Sequence, residues 1–290
     1  MYSAQPILNS RAVKPPERKL HAAAPRPAPV TILGVAFDNL AGAEAIKRIE
    51  EMIASRQPHY VVTANVDFLV QARRDAELRS ILREAHLVLC DGTPLVWASR
   101  LLGNPLRERV AGSDLVPQLL RLAAEKKFSV FLLGATPGAN EQAAANVRAQ
   151  FPVLEIRHYS PPFRPLPEMN HDEIREKILA ARPDLLLVAF GCPKAEKWMA
   201  MNCRALGVPV MMGVGATIDF LAGRVKRAPA WMRGAGLEWL FRLGQEPRRL
   251  CRRYAADLWY FGPALASELW RVKFRAPRRP QTPEIADGAA

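Results

Sequence analysis

The chain has 290 residues, of which 49% are hydrophobic, and a formal net charge of +13. That length allows one large domain or a domain with appendages, and the apolar share is enough for a sizeable core. The apolar runs fall short of the roughly 18–20 residues that a membrane-spanning helix needs, and the cysteines (Cys90, Cys192, Cys203, Cys251) form no C-x-x-C pair. Composition therefore argues against a membrane span, a disulfide framework and a zinc site, and it fits a reducing cytosol.

The two ends of the chain are predicted to be disordered. Residues 1–29 contain six prolines and several basic residues, but they lack the apolar stretch of a signal peptide. We interpret this segment as a disordered, Pro- and Arg-rich leader and residues 276–290 as a disordered tail.

Between these ends, β-like apolar runs alternate with segments of helical periodicity. The runs lie at 30–37, 59–64, 86–90, 128–133, 154–159, 184–190 and 208–212. Such alternation predicts an α/β core over residues 30–230, with a mainly parallel sheet flanked by helices on both faces. From Trp231 onward only helical patterns remain, so residues 231–275 are predicted to form a basic, amphipathic helical appendage.

Small or polar loops follow five of the runs directly. They begin at Thr63, Asp91, Gly134, Gly191 and Gly213. In parallel sheets these loops meet at the carboxyl edge, where helix N-termini offer free N–H groups to ligands. The pattern predicts a nucleotide-type pocket there, and glycines let a backbone approach a ligand closely. The candidate substrate or diphosphate contacts in these loops are Gly134, Gly191, Gly213, Gly215 and Asp219.

Three polar residues at strand ends are candidates for chemistry. Asp91 follows a strand and precedes a glycine, which suits a general base, although an aspartate there can also cap the helix that begins near Pro94. Thr63 and Asn65 have side chains that can bind a sugar or phosphate. Alternatively, Asn65 caps the helix that begins at Val66.

Arginines dominate the C-terminal part of the chain. Residues 224–279 hold 14 Lys and Arg against 4 acids, whereas residues 1–223 hold 27 against 22. A charge run is usually a solvated face, but here the balancing acids are scarce. Guanidinium groups can neutralise a leaving diphosphate as a metal would, and the sequence has no Asp-x-Asp. We therefore expect no metal or other cofactor, and the candidate diphosphate ligands are the arginines of one helical segment, Arg242, Arg248, Arg249, Arg252 and Arg253. Arg109, in a basic loop, contacts either solvent or a phosphate.

Two other classes of function fit less well. The glycine pair at Gly213 and Gly215 lacks the third glycine of a dinucleotide fingerprint, which argues against a Rossmann oxidoreductase. The high positive charge also fits a nucleic-acid-binding protein, but no recognised binding motif is present and the basic residues are concentrated in the tail.

Several segments together resemble the WecG/TagA/CpsF glycosyltransferases of bacteria. They are TANVDFLVQA (63–72), CDGTPLVW (90–97), RVAGSDL (109–115), FLLGATPG (131–138), FGCPKAEKW (190–198), GVGATIDFLAGRVKRAP (213–229) and GLEWLFRLGQEPRRLCRRY (236–254). The resemblance covers about residues 30–255, with the motifs in a consistent order. It implies a Rossmann-like core with a helical C-terminal appendage.

The resemblance also implies an activity. It is the inverting, metal-independent transfer of N-acetylmannosamine, its uronic acid or glucose from a UDP donor to a polyprenyl-diphosphate-linked saccharide. Asp91 would be the base, and Thr63 and Asn65 would line the sugar and acceptor site. The appendage arginines that match the family, Arg242, Arg249 and Arg252, would close over the diphosphate. The chain would then act at the anionic inner face of the bacterial cytoplasmic membrane, with no nucleic-acid partner.

One position departs from the family pattern Gly-x-Pro-x-Gln-Glu-x-Trp. The glutamine position is occupied by Ala195, whereas Glu196 and Trp198 remain. The change removes an amide that can bond the sugar or orient the acceptor. It is expected to alter donor choice, to be compensated by a neighbouring group, or to reduce activity.

Overall fold

A computed structural model describes residues 27–274, apart from the side chains of Ala230 and Arg249. The predicted tail, and the predicted leader except for residues 27–29, lie outside the described residues. The strands are β1 (Val30–Ile32), β2 (Val35–Phe37), β3 (His59–Ala64), β4 (Leu87–Cys90), β5 (Val130–Gly134), β6 (Ile156–Tyr159), β7 (Leu185–Ala189) and β8 (Val210–Gly213).

Six of these strands form one sheet in the order β4-β3-β8-β7-β5-β6. Every neighbouring pair in it is parallel. The prediction of an α/β fold with a Rossmann-like parallel sheet and a helical C-terminal region is confirmed. Because all six strands run the same way, the five loops singled out in the sequence lie at one edge.

The first apolar run differs from the expectation of a single strand. Residues 30–37 form an antiparallel hairpin, β1 with β2, separate from the main sheet. Leu33 and Gly34 have φ angles of 48° and 82°, and two consecutive positive φ values reverse the chain within two residues. The single glycine inside the apolar run was the available signal for this turn.

Helices cover both faces of the sheet. They are α1 (Gly42–Ala54), α2 (Val66–Arg74), α3 (Ala76–Glu84), α4 (Thr93–Leu101), α5 (Gly112–Lys126), α6 (Pro137–Gln150), α7 (His171–Ala181), α8 (Lys194–Leu206) and α9 (Thr217–Leu221). Their N-termini follow local rules: Asn65, Asp75 and Asn170 accept backbone N–H groups as caps. Pro94 and Pro137 occupy the first turns of α4 and α6, where no N–H is needed.

Strand alternation divides the core into two apolar layers. On β3, Val62 packs with α2, α3 and α8, whereas Val61 packs with α1, α5 and α6 on the other face. Successive side chains of a strand point to opposite faces, so a strand covered by helices on both sides is apolar throughout. This explains why the core strands appear in the sequence as continuous apolar runs.

The appendage consists of α10 (Ala230–Gly234), α11 (Glu238–Gln245) and α12 (Pro247–Phe274). Helix α12 packs along α2, where the guanidinium carbon of Arg74 lies 4.0 Å from the centroid of the Tyr260 ring. The carboxylate of Glu268 accepts a 2.8 Å hydrogen bond from the N–H of Leu33 in the β1–β2 turn. The long helix is therefore attached to the core at both of these places.

The outer face of α12 is apolar and aromatic. Leu258, Trp259, Trp270 and Phe274 are 71%, 79%, 62% and 70% exposed, whereas Phe261 on the inner face is buried. Within the described residues, no helix is both long enough and apolar enough to cross a membrane.

The largest fully buried side chain provides a test of the core. Trp198 on α8 is 0% exposed, and its ring lies edge-on to that of Phe190 at 5.7 Å. Trp198→Ala leaves a cavity and should lower the free energy of unfolding by about 3–5 kcal/mol in denaturant titrations. Trp259→Ala, at an exposed position, is the matched control and should change it by less than about 0.5 kcal/mol. Equal stabilities of the two variants would contradict this packing.

Candidate active site

Adjacent strands β3 and β4 bring three predicted residues together at the carboxyl edge. The N–H of Asp91 donates to the carbonyl of Ala64 at 2.9 Å. A Cβ added at Gly92 would lie 3.6 Å from the Cβ of Asn65. Asp91 and Asn65 therefore lie side by side. Thr63 precedes Asn65 by two residues and is the second-last residue of β3.

Asn65 and Thr63 already have structural partners. The Asn65 Oδ1 accepts the N–H of Asp67 at 3.0 Å, which confirms it as the cap of α2. The Thr63 hydroxyl, on a side chain that is largely buried, donates to the carbonyl of Gly213 at 3.2 Å. Substrate contact by these two residues stays a prediction.

Asp91 is not used as a helix cap. The N-cap of α4 is Gly92, so the capping alternative is not supported. The Asp91 side chain is 29% exposed, and its Oδ1 lies 3.6 Å from Nη1 of Arg109. A partly accessible carboxylate at the end of a strand is thus available to a ligand.

The predicted glycines fall into two groups. A Cβ added at Gly134 would lie 2.7 Å from the carbonyl oxygen of Ala189, and one at Gly213 would lie 2.8 Å from Oε1 of Glu196. At these two positions glycine permits close packing inside the protein. Gly191 and Gly215 have φ angles of 78° and 51° and face open space, so their backbones are accessible at the edge.

Arg109 is the centre of the charged groups at this edge. Its side chain is 19% exposed, and its guanidinium faces three carboxylates. Besides Asp91, Nη2 lies 2.5 Å from Oδ2 of Asp114, and Nη1 lies 3.2 Å from Oε2 of Glu238. The solvated-loop alternative for Arg109 is therefore wrong, because the side chain lies within the site.

Two further arginines, which the sequence did not single out, bind Asp114. Nη2 of Arg227 and Nη1 of Arg233 lie 2.7 Å and 3.2 Å from its Oδ1. Burial alone would raise the pKa of Asp114, but the hydrogen bond from Arg227 and the nearby arginine charges lower it overall. Both arginines lie at 113 or more positions from Asp114 in sequence, so no local pattern indicates the contact.

The appendage reaches the site through α11. Glu238 begins this helix and contacts Arg109, and Arg242 follows one turn later. The guanidinium carbons of Arg242 and Arg227 lie 4.9 Å and 5.8 Å from the ring centroid of Phe220. Phe220 lies on α9, the short helix that follows Gly213 and Gly215. Asp219 lies on the same helix and is partly buried.

The other predicted arginines lie on the next helix. The chain leaves helical geometry at Glu246, so Arg252 on α12 is not on one continuous helix face with Arg242. Arg252 is exposed, and the side chain of Arg249 lies outside the described residues. Arg253 instead lies near two acids, with Nε 3.7 Å from Oδ2 of Asp67 and 3.9 Å from Oδ2 of Asp257.

The protein surroundings make Asp91 more basic than a free aspartate. Burial raises its pKa to about 6, while the charges of Arg109 and Arg242 act in the opposite direction. Glu238 and Asp114 add to the increase. A carboxylate with this pKa is ionised near neutral pH and still accepts a proton more readily than a solvated one.

Glu196 is a buried acid to which the sequence gave no role. Its side chain is 3% exposed, and burial raises its pKa to about 7. Its Oε2 has no hydrogen-bond partner among the described residues. The neighbouring Ala195 is 2% exposed and packs in the apolar layer, so its methyl group offers no polar contact to the site.

A separate cavity of about 240 Å³ lies at the opposite, amino-terminal edge of the sheet, between Arg56, Arg182, Asp184 and Pro209. The cavity lies at the opposite end of the strands from Asp91 and Arg109. Ligands of parallel α/β sheets bind at the carboxyl edge. We therefore assign the candidate site to the carboxyl edge. Within residues 27–274, no group of three or more His, Cys, Asp or Glu side chains is arranged to hold a metal ion.

A parallel sheet with partly accessible carboxylates among arginines at its carboxyl edge is a Rossmann-like α/β fold whose edge suits an anionic ligand. The chain matches the glycosyl transferase WecG/TagA/CpsF family over residues 30–275, and it belongs to that family. It is accordingly a glycosyltransferase of the hexosyltransferase class.

Similar proteins occur in Staphylococcus aureus. Those of strains MW2, MRSA252 and NCTC 8325 / PS 47 are each 30% identical to this chain over 241 residues, which is 82% of this chain and 93% of theirs. Each is named N-acetylglucosaminyldiphosphoundecaprenol N-acetyl-β-D-mannosaminyltransferase.

The ionisation of Asp91 can be measured directly. Its side-chain carboxyl ¹³C resonance, assigned by its loss in Asp91→Asn, should titrate near pH 6, compared with about 3.9 for a solvated aspartate. Because the folded-state pKa lies above the unfolded value, ionisation of Asp91 should destabilise the fold as pH rises from about 4 to 6. A midpoint near 4 would contradict the burial of this carboxyl group.

Proposed function

We propose that the chain is an inverting, metal-independent glycosyltransferase that moves a sugar from a UDP donor to a polyprenyl-diphosphate-linked saccharide. The observation that carries the proposal is the position of Asp91 beside Arg109, within the electrostatic reach of Arg242. A base and cations next to one another can serve the two ends of a displacement reaction. The printed name of the relatives, which includes a diphosphoundecaprenol-linked acceptor, supports the acceptor class.

The proposed reaction is a single displacement. The carboxylate of Asp91 takes the proton of the acceptor hydroxyl as its oxygen attacks the anomeric carbon. The bond from that carbon to the diphosphate oxygen breaks on the opposite face, and its electron pair leaves with UDP. One displacement inverts the anomeric centre, and the proton remains on Asp91 until solvent removes it.

Arginines would stabilise the negative charge on the departing diphosphate. Arg109 lies at the site, and Arg242 is brought there by α11 and its contact with Phe220. Guanidinium groups bind phosphate oxygens in bidentate fashion and remain charged at all relevant pH values. This supports catalysis without a metal or other cofactor. Arg249 and Arg252, on α12, are proposed as further ligands of the diphosphate.

The loss of the amide at position 195 would change the choice of donor, be compensated by a neighbouring group, or reduce activity. The side chain of Ala195 is a methyl group, which neither donates nor accepts a hydrogen bond, and it is buried among apolar neighbours. The relatives are named for N-acetylmannosamine transfer, and this sugar is the first donor to test, followed by its uronic acid and glucose. Glu196, which follows Ala195 in sequence and lies against Gly213, is a candidate for the neighbouring group that replaces the amide.

The same proposal includes attachment to the inner face of the bacterial cytoplasmic membrane. Exposed Trp259 and Trp270 on α12 and the basic residues of the appendage would bind an anionic lipid surface. A lipid-linked acceptor makes such a surface the place of reaction. We propose lipid, rather than nucleic acid, as the anionic partner of the basic appendage.

The test of function is UDP release from a panel of UDP-sugars, with a polyprenyl-diphosphate-linked N-acetylglucosamine in detergent and excess EDTA. We expect release that requires the acceptor and persists in EDTA, because arginines replace the metal. Release that stops in EDTA and returns with Mg²⁺ would overturn metal independence. No release with any donor would overturn the proposed activity.

The same assay tests the base. Asp91→Asn should fold normally and lower kcat by roughly 10²–10⁴-fold, the usual contribution of a general base. Asp172→Asn, which removes an acid with a side chain that is 96% exposed on α7, is the matched control and should retain full activity. Turnover by Asp91→Asn close to that of the wild type would refute the assignment.

Membrane attachment is tested by co-sedimentation with vesicles. The wild type should sediment with vesicles rich in phosphatidylglycerol and remain in the supernatant when the vesicles are phosphatidylcholine. Trp259→Ala should weaken binding roughly tenfold through the loss of apolar contact. Phe163→Ala is the control, because it removes a 94% exposed aromatic side chain that lies outside the appendage, and this variant should bind vesicles like the wild type. Equal binding to both kinds of vesicle would refute the electrostatic contribution.

A further inference from the structure

Glu238 has an unusual position for an acid in the appendage. It lies on the first turn of α11, and its side chain is only 12% exposed. Its Oε2 lies 3.2 Å from Nη1 of Arg109, and its Oε1 lies 3.9 Å from Nη2 of Arg227. One carboxylate thus faces two guanidinium groups of the core.

The contact of Glu238 with these arginines is electrostatic and incomplete. Oε2 is buried but accepts no hydrogen bond from any residue between 27 and 274. The Nε atom of Arg227 is likewise buried without a hydrogen-bond partner in that range. Buried polar atoms normally have such partners, and a buried charge without them is costly. Arg227 therefore retains a donor, and Glu238 an acceptor, that their contact does not satisfy.

The charges around Glu238 favour an additional anion. Asp91, Asp114 and Glu238 face Arg109, Arg227, Arg233 and Arg242. Without Glu238, two carboxylates would remain against four guanidinium groups. A phosphate has more acceptor oxygens than a carboxylate and can satisfy the donors that Glu238 leaves unused.

We propose that Glu238 is an internal anion that contacts the Arg109–Arg227 pair until a phosphate of the nucleotide binds there and displaces it. This inference rests on the proposed function, because it takes a UDP diphosphate as the incoming group. Displacement frees the first turn of α11. Since Arg242 lies one turn further along the same helix, nucleotide binding thereby repositions Arg242 relative to Asp91.

Glu238 is thus a positioning residue that lowers the affinity of the site for the nucleotide. It competes with the ligand for two arginines and couples ligand entry to the movement of α11. If it merely held the arginines in place for the ligand, its removal would weaken binding. If it competes with the ligand, its removal strengthens binding, so the two roles predict changes of opposite sign.

The experiment is calorimetric titration of UDP into the full-length wild type, Glu238→Gln and Glu125→Gln. Glu125 is an exposed acid near the C-terminal end of α5, far from the site, and its substitution makes the same change in net charge. We expect Glu238→Gln to bind UDP roughly three- to tenfold more tightly, as the loss of a partly buried competing charge implies. Glu125→Gln should bind like the wild type.

A second readout follows α11 itself. Trp239 lies next to Glu238 and is 39% exposed, so its ¹⁹F resonance in protein labelled with 5-fluorotryptophan, assigned with Trp239→Phe, reports on this turn. UDP should shift the wild-type resonance. In ligand-free Glu238→Gln it should already lie displaced toward the UDP-bound position. If Glu238→Gln does not fold, the wild-type resonance alone shows whether UDP moves the first turn of α11.

The outcomes separate the two proposals. If the wild type binds UDP but Glu238→Gln binds equally or more weakly, the displacement of Glu238 is overturned while the transferase proposal stands. A Trp239 resonance that does not move at saturating UDP overturns it as well. Absence of UDP binding to the wild type would overturn the proposed function and this inference together.

Discussion

The site depends on one interaction, the convergence of three carboxylates on the guanidinium of Arg109. Three like charges in a partly buried space repel one another unless cations lie between them. Arg109 connects the end of β4, the start of α5 and the start of α11. The core and the appendage are joined there by charge rather than by a large apolar contact. In the displacement proposed above, the position of α11 relative to the core therefore depends on whether another anion binds Arg109.

The fold could be predicted largely from the sequence, because parallel strands buried on both faces have a distinctive pattern. The apolar runs at 59–64 and 208–212 correspond to β3 and β8 within about two residues. The exception was 30–37, where Leu33 and Gly34 form a turn. An apolar run of eight residues contains no periodic signal that separates one long strand from two short ones.

The candidate site was predicted in part. Asp91, Thr63 and Asn65 could be placed at one edge because each lies at or just after the end of a strand, and parallel strands end together. The partners of Asp114 could not, because Arg227 and Arg233 are more than a hundred residues away in sequence. Arg227 and Glu238 lie within segments that resemble family motifs, which was the only signal for them. Whether a charged residue in such a segment faces solvent or a partner depends on tertiary packing.

The hydrogen bond between Leu33 and Glu268 has a consequence for the order of folding. Its two partners are 235 residues apart, so the β1–β2 turn leaves the ribosome long before Glu268 is synthesised. Water must satisfy the Leu33 amide until then, while the strands of the main sheet can already pair. Docking of α12 is thus a late step in the maturation of the nascent chain. A chain that stalls before residue 253 lacks the part of α12 that contacts Asp67 and Arg74 on α2, and that surface of α2 is then available to chaperones.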